Sequence, residues 1–276
     1  MVSKSAEEYS EISVSTALEV TLLGTGTSQG IPVIGCTCKV CRSSDPRDNR
    51  TRTAAFIESA GTGIAIDLGP DFRQQMLANS ISNVHAVLLT HEHNDHISGL
   101  DDIRPINFLY KREIPIYGSS RALLEIRRRF VYAFDPDYYY PGKPRVSSII
   151  INDNPFTIGN LEITPIPVDH GDMAVYGFRI GSFAYITDAK TIPASSKALL
   201  KDLDVLVLNA LRFEPHETHL NIEEAIAIVE ELMPRQTYFI HISHDTGLHA
   251  DTDPILPPGI NLGYDGLKLK IGGPQH

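Results

Sequence analysis

The chain has 276 residues, of which 42% are hydrophobic and 21% charged, which is enough for one large core or two merged layers. No stretch approaches the roughly 18 apolar residues of a transmembrane helix, and the start, M-V-S-K-S-A-E-E-Y-S-E, lacks the apolar region of a signal peptide. The net charge of −10 disfavours non-specific binding to nucleic acids and membranes.

Strand patterns fall into two groups along the chain. The first group covers residues 18–23, 54–58, 63–66 and 84–90. The second covers residues 148–151, 161–168, 175–180, 183–187, 205–208 and 237–240. Helical patterns lie between and after them, including 121–130 and 222–232, and a turn at Tyr264-Asp265-Gly266 precedes a last strand. Two β-groups with interleaved helices predict an α+β fold, an αββα sandwich, in a single domain spanning residues 1–276.

The three cysteines form the motif C-x-C-x2-C in a polar, glycine-bounded loop, as Cys36, Cys38 and Cys41. An odd count argues against a disulfide framework, and a redox pair would leave one thiol over. Three thiolates that need a fourth ligand predict a structural zinc site of the Cys3His type, with His244 in H-I-S-H as the best candidate. The alternative is three reduced, buried cysteines. Thiols and metal sites of this kind favour a reducing cytoplasm.

The run H-E-H-N-D-H at residues 91–96 follows directly on the strand pattern at 84–90. His91 and His93 are two residues apart and can face the same side, whereas Asp95 and His96 can turn away toward a second ion. Imidazole nitrogen and carboxylate oxygen together suit zinc, manganese or iron. A polar surface loop that is merely rich in histidine is the alternative.

Residues 111–145 are basic although the whole chain is acidic, since they contain eight Lys or Arg and four Asp or Glu. They also contain five of the 11 tyrosines. Tyr138, Tyr139 and Tyr140 are consecutive, and Pro141-Gly142 follows them. This composition fits a lid that attracts phosphate and stacks a base or sugar. It fits equally a basic helix face with a tyrosine-rich dimer contact, so that a homodimer is a second expectation.

Further candidate ligands come directly after later strand patterns. His170 follows 161–168, Asp188 follows 183–187, and His241 follows 237–240. In folds built on sheets, functional residues gather in the loops at one end of the strands. A single His or Asp after a strand is more often a cap or turn residue. Together with the run at 91–96, these residues complete a set for two metals.

The order of these motifs resembles the metallo-β-lactamase superfamily in its binuclear hydrolase form, over roughly residues 18–244. The resemblance implies His91, His93 and His170 as ligands of a first metal, and Asp95, His96 and His241 as ligands of a second. Asp188 would bridge the two metals, and Asp67 would support the site without binding metal. The implied cofactors are two divalent ions, zinc or manganese, and one structural zinc.

The cysteine motif, after the loop G-T-G-T-S-Q-G-I-P, narrows the resemblance to one branch of that superfamily. This branch includes the phosphoribosyl 1,2-cyclic phosphate phosphodiesterase, and it implies a structural zinc on Cys36, Cys38, Cys41 and His244. A histidine near residue 219 protonates the leaving group in such enzymes, and His219 matches it better than His216. A capping or surface role is the alternative for His219. His85, His249 and His276 have no predicted role in the site.

The resemblance predicts a hydrolase that cleaves a small cyclic or nucleotide-like phosphodiester with a hydroxide activated by two metals. Two divalent ions, two carboxylates and one hydroxide leave about one positive charge, which favours an anionic substrate. The alternatives are an RNA-processing nuclease, a thioester or lactone hydrolase, and a non-catalytic accessory protein of cofactor biosynthesis. No membrane partner is expected, and the net charge of −10 disfavours nucleic acid as a partner.

Overall fold

A computed structural model describes residues 17–139 and 141–272. Tyr140, His276 and the first 16 residues, on which predictions were made above, lie outside the described residues. The strands are β1 Leu18–Gly24, β2 Ala54–Ser59, β3 Thr62–Ile66, β4 Ala86–Leu88, β5 Ile114–Gly118, β6 Val146–Ile150, β7 Phe156–Ile158, β8 Leu161–His170, β9 Met173–Ile180, β10 Phe183–Ile186, β11 Val205–Asn209, β12 Gln236–Ile240, β13 Ile260–Leu262 and β14 Lys268–Ile271. The helices are α1 Phe72–Ala78, α2 Asn94–Ile97, α3 Arg104–Tyr110, α4 Ser120–Arg129, α5 Val131–Phe134, α6 Ala194–Ala198, α7 Ile222–Leu232 and α8 His249–Thr252.

The strands form two sheets of seven, and this confirms the predicted α+β sandwich. The first sheet has the order β14-β1-β2-β3-β4-β5-β6, and the second has the order β13-β12-β11-β10-β9-β8-β7. The assignment of residues 148–151 to the second strand group was wrong, because β6 pairs in parallel with β5 at the edge of the first sheet. The last strand, β14, also returns to the first sheet and pairs with β1.

One apolar core lies between the sheets, and further cores lie under the helices. Leu22, Phe178 and Tyr185 belong to the inner core and are fully buried. The helix α7 covers the outer face of the second sheet, because Ile222 and Val229 recur at helical spacing and pack into a second cluster. Asn221 caps this helix in a capping box with Glu224, so that the helix begins directly after the loop that holds His219.

Parallel strands bring the candidate ligands to one edge of the sandwich. In the first sheet β3 runs parallel to β4, and in the second β10, β11 and β12 run parallel to one another. Parallel strands end at the same edge of a sheet, so the residues that follow β3, β4, β10 and β12 meet there. Within the described residues, no helix has the length and apolar character needed to cross a membrane.

Candidate metal centre

Three histidines form the first part of the cluster. His91, His93 and His170 each place one ring nitrogen within 4.8 Å of the others. His91 Nε2 lies 2.9 Å from His93 Nδ1. His91 and His170 are buried, whereas His93 is exposed. The open side of the cluster is therefore at the His93 end.

The second part of the cluster surrounds Asp188. Asp95, His96 and His241 bring their ligand atoms within 4.8 Å of one another. His96 Nε2 lies 3.3 Å from Asp95 Oδ2 and 3.5 Å from Asp188 Oδ2, and His241 Nε2 lies 3.1 Å from Asp188 Oδ1. Asp188 thus has one oxygen beside each of two histidines. Asp188 also lies within 4.8 Å of the ligand atoms of His91 and His170, so it adjoins both parts of the cluster.

Buried ring nitrogens in this cluster lack hydrogen-bond partners among the described residues. Nε2 of His96 and both ring nitrogens of His241 are buried without a partner, although carboxylate oxygens lie nearby. A buried polar group without a partner is costly, and natural proteins rarely keep one unless water or an ion satisfies it. The donor set of imidazoles and carboxylates fits zinc or manganese.

Three of the candidate residues have left-handed backbone conformations. The φ angles are 61° at Asp67, 58° at Asp188 and 57° at His241, and each residue closely follows the end of a strand. Such φ values are uncommon for residues other than glycine and recur at functional sites. In this conformation Asp67 contacts His96, and Asp188 contacts His241.

Asp67 contacts the cluster through His96 and Thr90. Its Oδ2 lies 2.7 Å from His96 Nδ1, and its Oδ1 accepts a hydrogen bond of 2.9 Å from the Thr90 backbone N–H. Burial works to lower the pKa of His96, but the carboxylates of Asp67 and Asp188 overcome this and hold the pKa well above its ordinary value. Asp67 therefore orients His96 and leaves its Nε2 directed toward the other ligands.

Asp188 is held as a carboxylate at the centre of the site. Burial works to raise its pKa, but His241 and His96 lower the pKa well below the ordinary range of an aspartic acid. The Thr187 hydroxyl donates a hydrogen bond of 2.6 Å to Asp188 Oδ2. The side chain is therefore charged and fixed before any ligand arrives.

His219 reaches the same carboxylate from the loop before α7. Its Nε2 lies 3.1 Å from Asp188 Oδ1, and its Nδ1 lies 3.2 Å from His216 Nδ1. Burial lowers the pKa of His219 to about 4. His219 does not cap α7, since Asn221 does so, and its side chain is mostly buried against the cluster. His216 contacts His219 and Thr218, and the preference for His219 over His216 stays a prediction.

Thr90 and Thr218 support ligand histidines and were not predicted from the sequence. The Thr90 hydroxyl donates to Asp67 Oδ2 at 2.8 Å and lies 3.0 Å from His91 Nδ1, and His170 Nδ1 donates to the Thr218 carbonyl at 2.8 Å. Such contacts fix the ring orientation of a ligand histidine. The position of Thr90 directly before His91 was a signal for the first contact, whereas no pattern along the chain indicated the contact between His170 and Thr218.

A second cluster gathers the three cysteines around one histidine nitrogen. Nδ1 of His244 lies 3.3, 3.4 and 3.5 Å from the sulfurs of Cys36, Cys38 and Cys41. A tetrahedral zinc ion with ordinary bond lengths holds sulfur and nitrogen ligands about 3.5 Å apart, so these residues fit a structural zinc. The Cys41 backbone N–H, 3.4 Å from the Cys38 sulfur, helps to lower the pKa of that thiol to about 6.

The remaining histidines with described surroundings have structural contacts. His85 Nδ1 accepts a hydrogen bond of 3.0 Å from the Gly63 backbone N–H. His249 Nδ1 lies 3.2 Å from Nη2 of the buried Arg50. In the part of the chain that the structure describes, these contacts of His85 and His249 lie outside the two clusters.

Comparison with known proteins identifies the family. Residues 62–242 match the model of the beta-lactamase superfamily domain. The chain belongs to the metallo-β-lactamase superfamily. A crystal structure described as a new diphosphatase from the PhnP family is 40% identical, with a TM-score of 0.87, and the match covers 92% of this chain and 97% of that chain.

Curated relatives of this superfamily member carry different names. An octanoyltransferase of Porphyromonas gingivalis is 43% identical over 253 residues, which are 91% of this chain and 51% of the relative. The chain therefore spans about half the length of that relative. A ribonuclease Z of Nanoarchaeum equitans is 26% identical over 215 residues, or 74% of this chain and 66% of the relative.

Proposed function

We propose that this protein is a metal-dependent hydrolase of phosphodiester bonds, acting on a small cyclic or nucleotide-like anionic substrate. The single observation that carries the proposal is the placement of His219 against Asp188, inside a cluster of imidazoles and carboxylates. A general acid beside such a cluster suits the cleavage of an ester whose leaving group needs a proton. The 40% identical diphosphatase and the 26% identical ribonuclease Z also have names that refer to cleavage at phosphorus.

The chain offers two adjoining sets of ligands for divalent ions. The first set is His91, His93 and His170, the second is Asp95, His96 and His241, and Asp188 lies between them. Bound zinc or manganese would supply Lewis acidity and an activated water at neutral pH. The side chain of Asp67 keeps His96 oriented through the contact of 2.7 Å, so that the second set is ready before binding.

His219 is the residue that would protonate the leaving oxygen once substrate is bound. Burial lowers its pKa to about 4, so the ring is neutral at pH 7 when no substrate is present. An anionic substrate beside the ring favours the charged imidazole and raises that pKa. Nε2 can then donate its proton to the departing oxygen, while His216, 3.2 Å from Nδ1, helps to fix the ring.

The deciding experiment is turnover of bis(p-nitrophenyl) phosphate by protein loaded with zinc or manganese. We expect hydrolysis that is lost on chelation and restored by either metal. A thioester or a lactone tested in parallel separates this proposal from acyl hydrolysis, which does not need His219. Metal-loaded protein that hydrolyses none of the three substrates would favour the accessory-protein alternative.

An RNA-processing nuclease is the second candidate, favoured by the relationship to ribonuclease Z over 74% of the chain. The net charge of −10 opposes it, because RNA binding draws most of its affinity from neutralised phosphates. The sequence also shows no long arm rich in glycine and proline of the kind that holds tRNA. Cleavage of a tRNA precursor at rates above those for a dinucleotide would support the nuclease.

A further inference from the structure

Among the described residues, the two sheets end in four edge strands that are protected to different degrees. An edge strand presents unpaired backbone N–H and C=O groups, and proteins protect such an edge with charged side chains or by keeping the strand short. Lysines occupy the two exposed positions of β14, and β7 and β13 have three residues each. The fourth edge strand, β6, has five residues in the sequence V-S-S-I-I, and none of them is charged or proline.

The outer side of β6 offers hydrogen-bonding groups that the described part of the chain does not use. The neighbouring strand β5 bonds to the carbonyl of Arg145 before β6 and to the N–H of Ile151 after it, each at 3.0 Å. Because bonding residues alternate along a parallel ladder, every second residue between these two also faces β5. The backbone groups of Val146, Ser148 and Ile150 therefore face away from the sheet. Within the described residues they have no hydrogen-bond partner.

Apolar side chains are exposed along the same edge. Ile150 is 68% exposed and Ile149 is 38% exposed, although both belong to a strand of the sandwich. Leu124 of α4 is 61% exposed and lies one helical turn before Arg127. Arg127 Nε donates a hydrogen bond of 3.2 Å to Ser148 Oγ, and this contact holds that flank of α4 beside β6. A strand added to β6 would therefore cover apolar side chains as well as backbone groups.

The cations beside β6 indicate the charge of the segment that fits there. Arg127 and Arg145 are exposed, and no carboxylate pairs with either of them in the part of the chain that the structure describes. This edge is thus basic in a chain with a net charge of −10. Antiparallel pairing of β6 with a second copy, centred on Ser148, would bring two Arg127 side chains together. Like charges oppose that pairing, whereas an acidic strand would be attracted.

We propose that β6 binds an extended, acidic segment of a partner protein, which adds one strand to the seven-stranded first sheet. The segment would place apolar residues beside Leu124 and Ile150 and acidic residues beside Arg127 and Arg145. In this mode of recognition the backbone hydrogen bonds supply affinity, and the side chains supply the choice of partner. The surface includes none of the metal-ligand candidates, so the inference does not depend on the proposed function.

Short synthetic peptides test the inference with the full chain in its metal-loaded form. The probe is a fluorescein-labelled peptide of alternating valine and glutamate, blocked at both ends, and its binding is measured by fluorescence anisotropy. One control peptide has lysine in place of glutamate. Another has a central N-methylvaline, which removes a backbone N–H and leaves the charge unchanged. We expect the acidic peptide to bind about tenfold tighter than either control, the effect of one charge-assisted or backbone hydrogen bond.

Two pairs of protein variants locate the binding site. Ser148→Pro removes an outward-facing N–H that β5 does not use, so it should abolish peptide binding, whereas Ser148→Ala keeps that N–H and should bind normally. Arg127→Gln should weaken binding of the acidic peptide about tenfold. Lys270→Gln removes the same charge from β14 at the opposite edge of the sheet and should have no effect. Thermal unfolding of each variant checks that the fold is retained.

Each contrary result overturns the inference. Equal affinity for the parent and N-methylated peptides would exclude pairing through the backbone. Unchanged binding in Arg127→Gln would place the acidic peptide elsewhere, and this test holds even if Ser148→Pro does not fold. Absence of binding at millimolar peptide would refute an acidic partner strand. If analytical ultracentrifugation then shows a dimer that Ser148→Pro dissociates, the edge belongs to a second copy of the chain instead.

Discussion

Two ligand clusters take a histidine from the same segment after β12 and differ in ligand type, number of ligands and exposure. His241 and His244 are three residues apart, yet His241 faces the imidazole and carboxylate cluster and His244 faces the three cysteines. The cysteine cluster has four ligand atoms around one point and is partly exposed. The other cluster is mostly buried, has several overlapping groups of ligands, and is open at His93.

This difference is the one expected between a structural metal site, which is closed, and a catalytic metal site, which is open to substrate. Four converging ligands with three sulfurs leave no position for a substrate, which is the pattern of a structural zinc. Among the described residues, the larger cluster has buried nitrogens without hydrogen-bond partners on His96 and His241, and His219 lies 3.1 Å from the carboxylate of Asp188. We therefore expect the two clusters to respond differently to the same treatments, and the predictions below run from the largest expected effect on activity to the smallest.

Asp188→Ala should abolish hydrolysis, because this carboxylate lies between both ligand sets and its loss leaves two cations without a shared anion. We expect metal to be lost from one or both positions of the larger cluster while about one zinc remains with the cysteines. Elemental analysis and turnover of bis(p-nitrophenyl) phosphate measure both effects. A variant that retains full metal content and near-normal turnover would contradict the binuclear interpretation.

His219→Ala should reduce cleavage of an alkyl or ribosyl phosphodiester by typically 10²–10⁴-fold, which is the usual contribution of a general acid. The effect on a p-nitrophenyl ester should be far smaller, because p-nitrophenolate is stable without a proton. The measurement is kcat/KM for both substrate types, with metal content unchanged. Equal losses on both would assign His219 to phosphate binding. His216→Ala, which removes the contact of 3.2 Å to His219 Nδ1, should give a smaller loss with the same dependence on the leaving group.

Asp67→Asn should weaken metal binding at the larger cluster by roughly 10–100-fold, the usual cost of removing the support of a ligand histidine. The amide keeps the shape of the side chain but loses the charge that orients His96 through the contact of 2.7 Å. Titration of the metal-free protein with zinc measures the change. Full activity at saturating metal with unchanged affinity would show that Asp67 does not orient His96.

Of these variants, Cys38→Ser should have the smallest effect on the hydrolysis rate per folded molecule. We expect the loss of one tightly held zinc and a lower unfolding midpoint, at roughly 2–4 °C for each 1 kcal/mol of lost stability. Mild chelation of the wild type should likewise remove activity first and leave about one zinc per chain. His244→Ala should copy Cys38→Ser, whereas His241→Ala should copy the loss of metal in Asp188→Ala. If Cys38→Ser retains all its tightly held zinc, the assignment of the cysteine cluster is wrong.

The sequence alone predicted the sandwich and the order of its site motifs. The strand patterns at 161–168 and 237–240 agree with β8 and β12, because alternating or continuous apolar runs reflect burial along one strand. His170 and His241 stand at the ends of those strands. Local patterns were sufficient here since each depends on neighbouring residues only. That these residues bind metal stays a prediction.

Sheet membership and turn geometry depended on contacts between distant residues. The short strands β5 and β7 were not predicted, and β6 was placed in the wrong group, because its pairing with β5 is a tertiary contact. The left-handed turns at Asp67, Asp188 and His241 were not predicted either, since positive φ angles are uncommon outside glycine and depend on the surrounding fold.

The sequence by itself determined which chemical groups are present: imidazoles and carboxylates after strands, three thiols in one loop, and a basic helix. Only the tertiary structure decided which of these groups lie next to one another. It brought His244, which the sequence had offered as fourth ligand, within 3.3 Å of Cys36 across 208 residues. It also turned His219 toward Asp188 and set one side of α4 against Glu92 and Asn94. Residue type and spacing follow from local chemistry, whereas proximity between distant segments follows from how the two sheets and their helices pack.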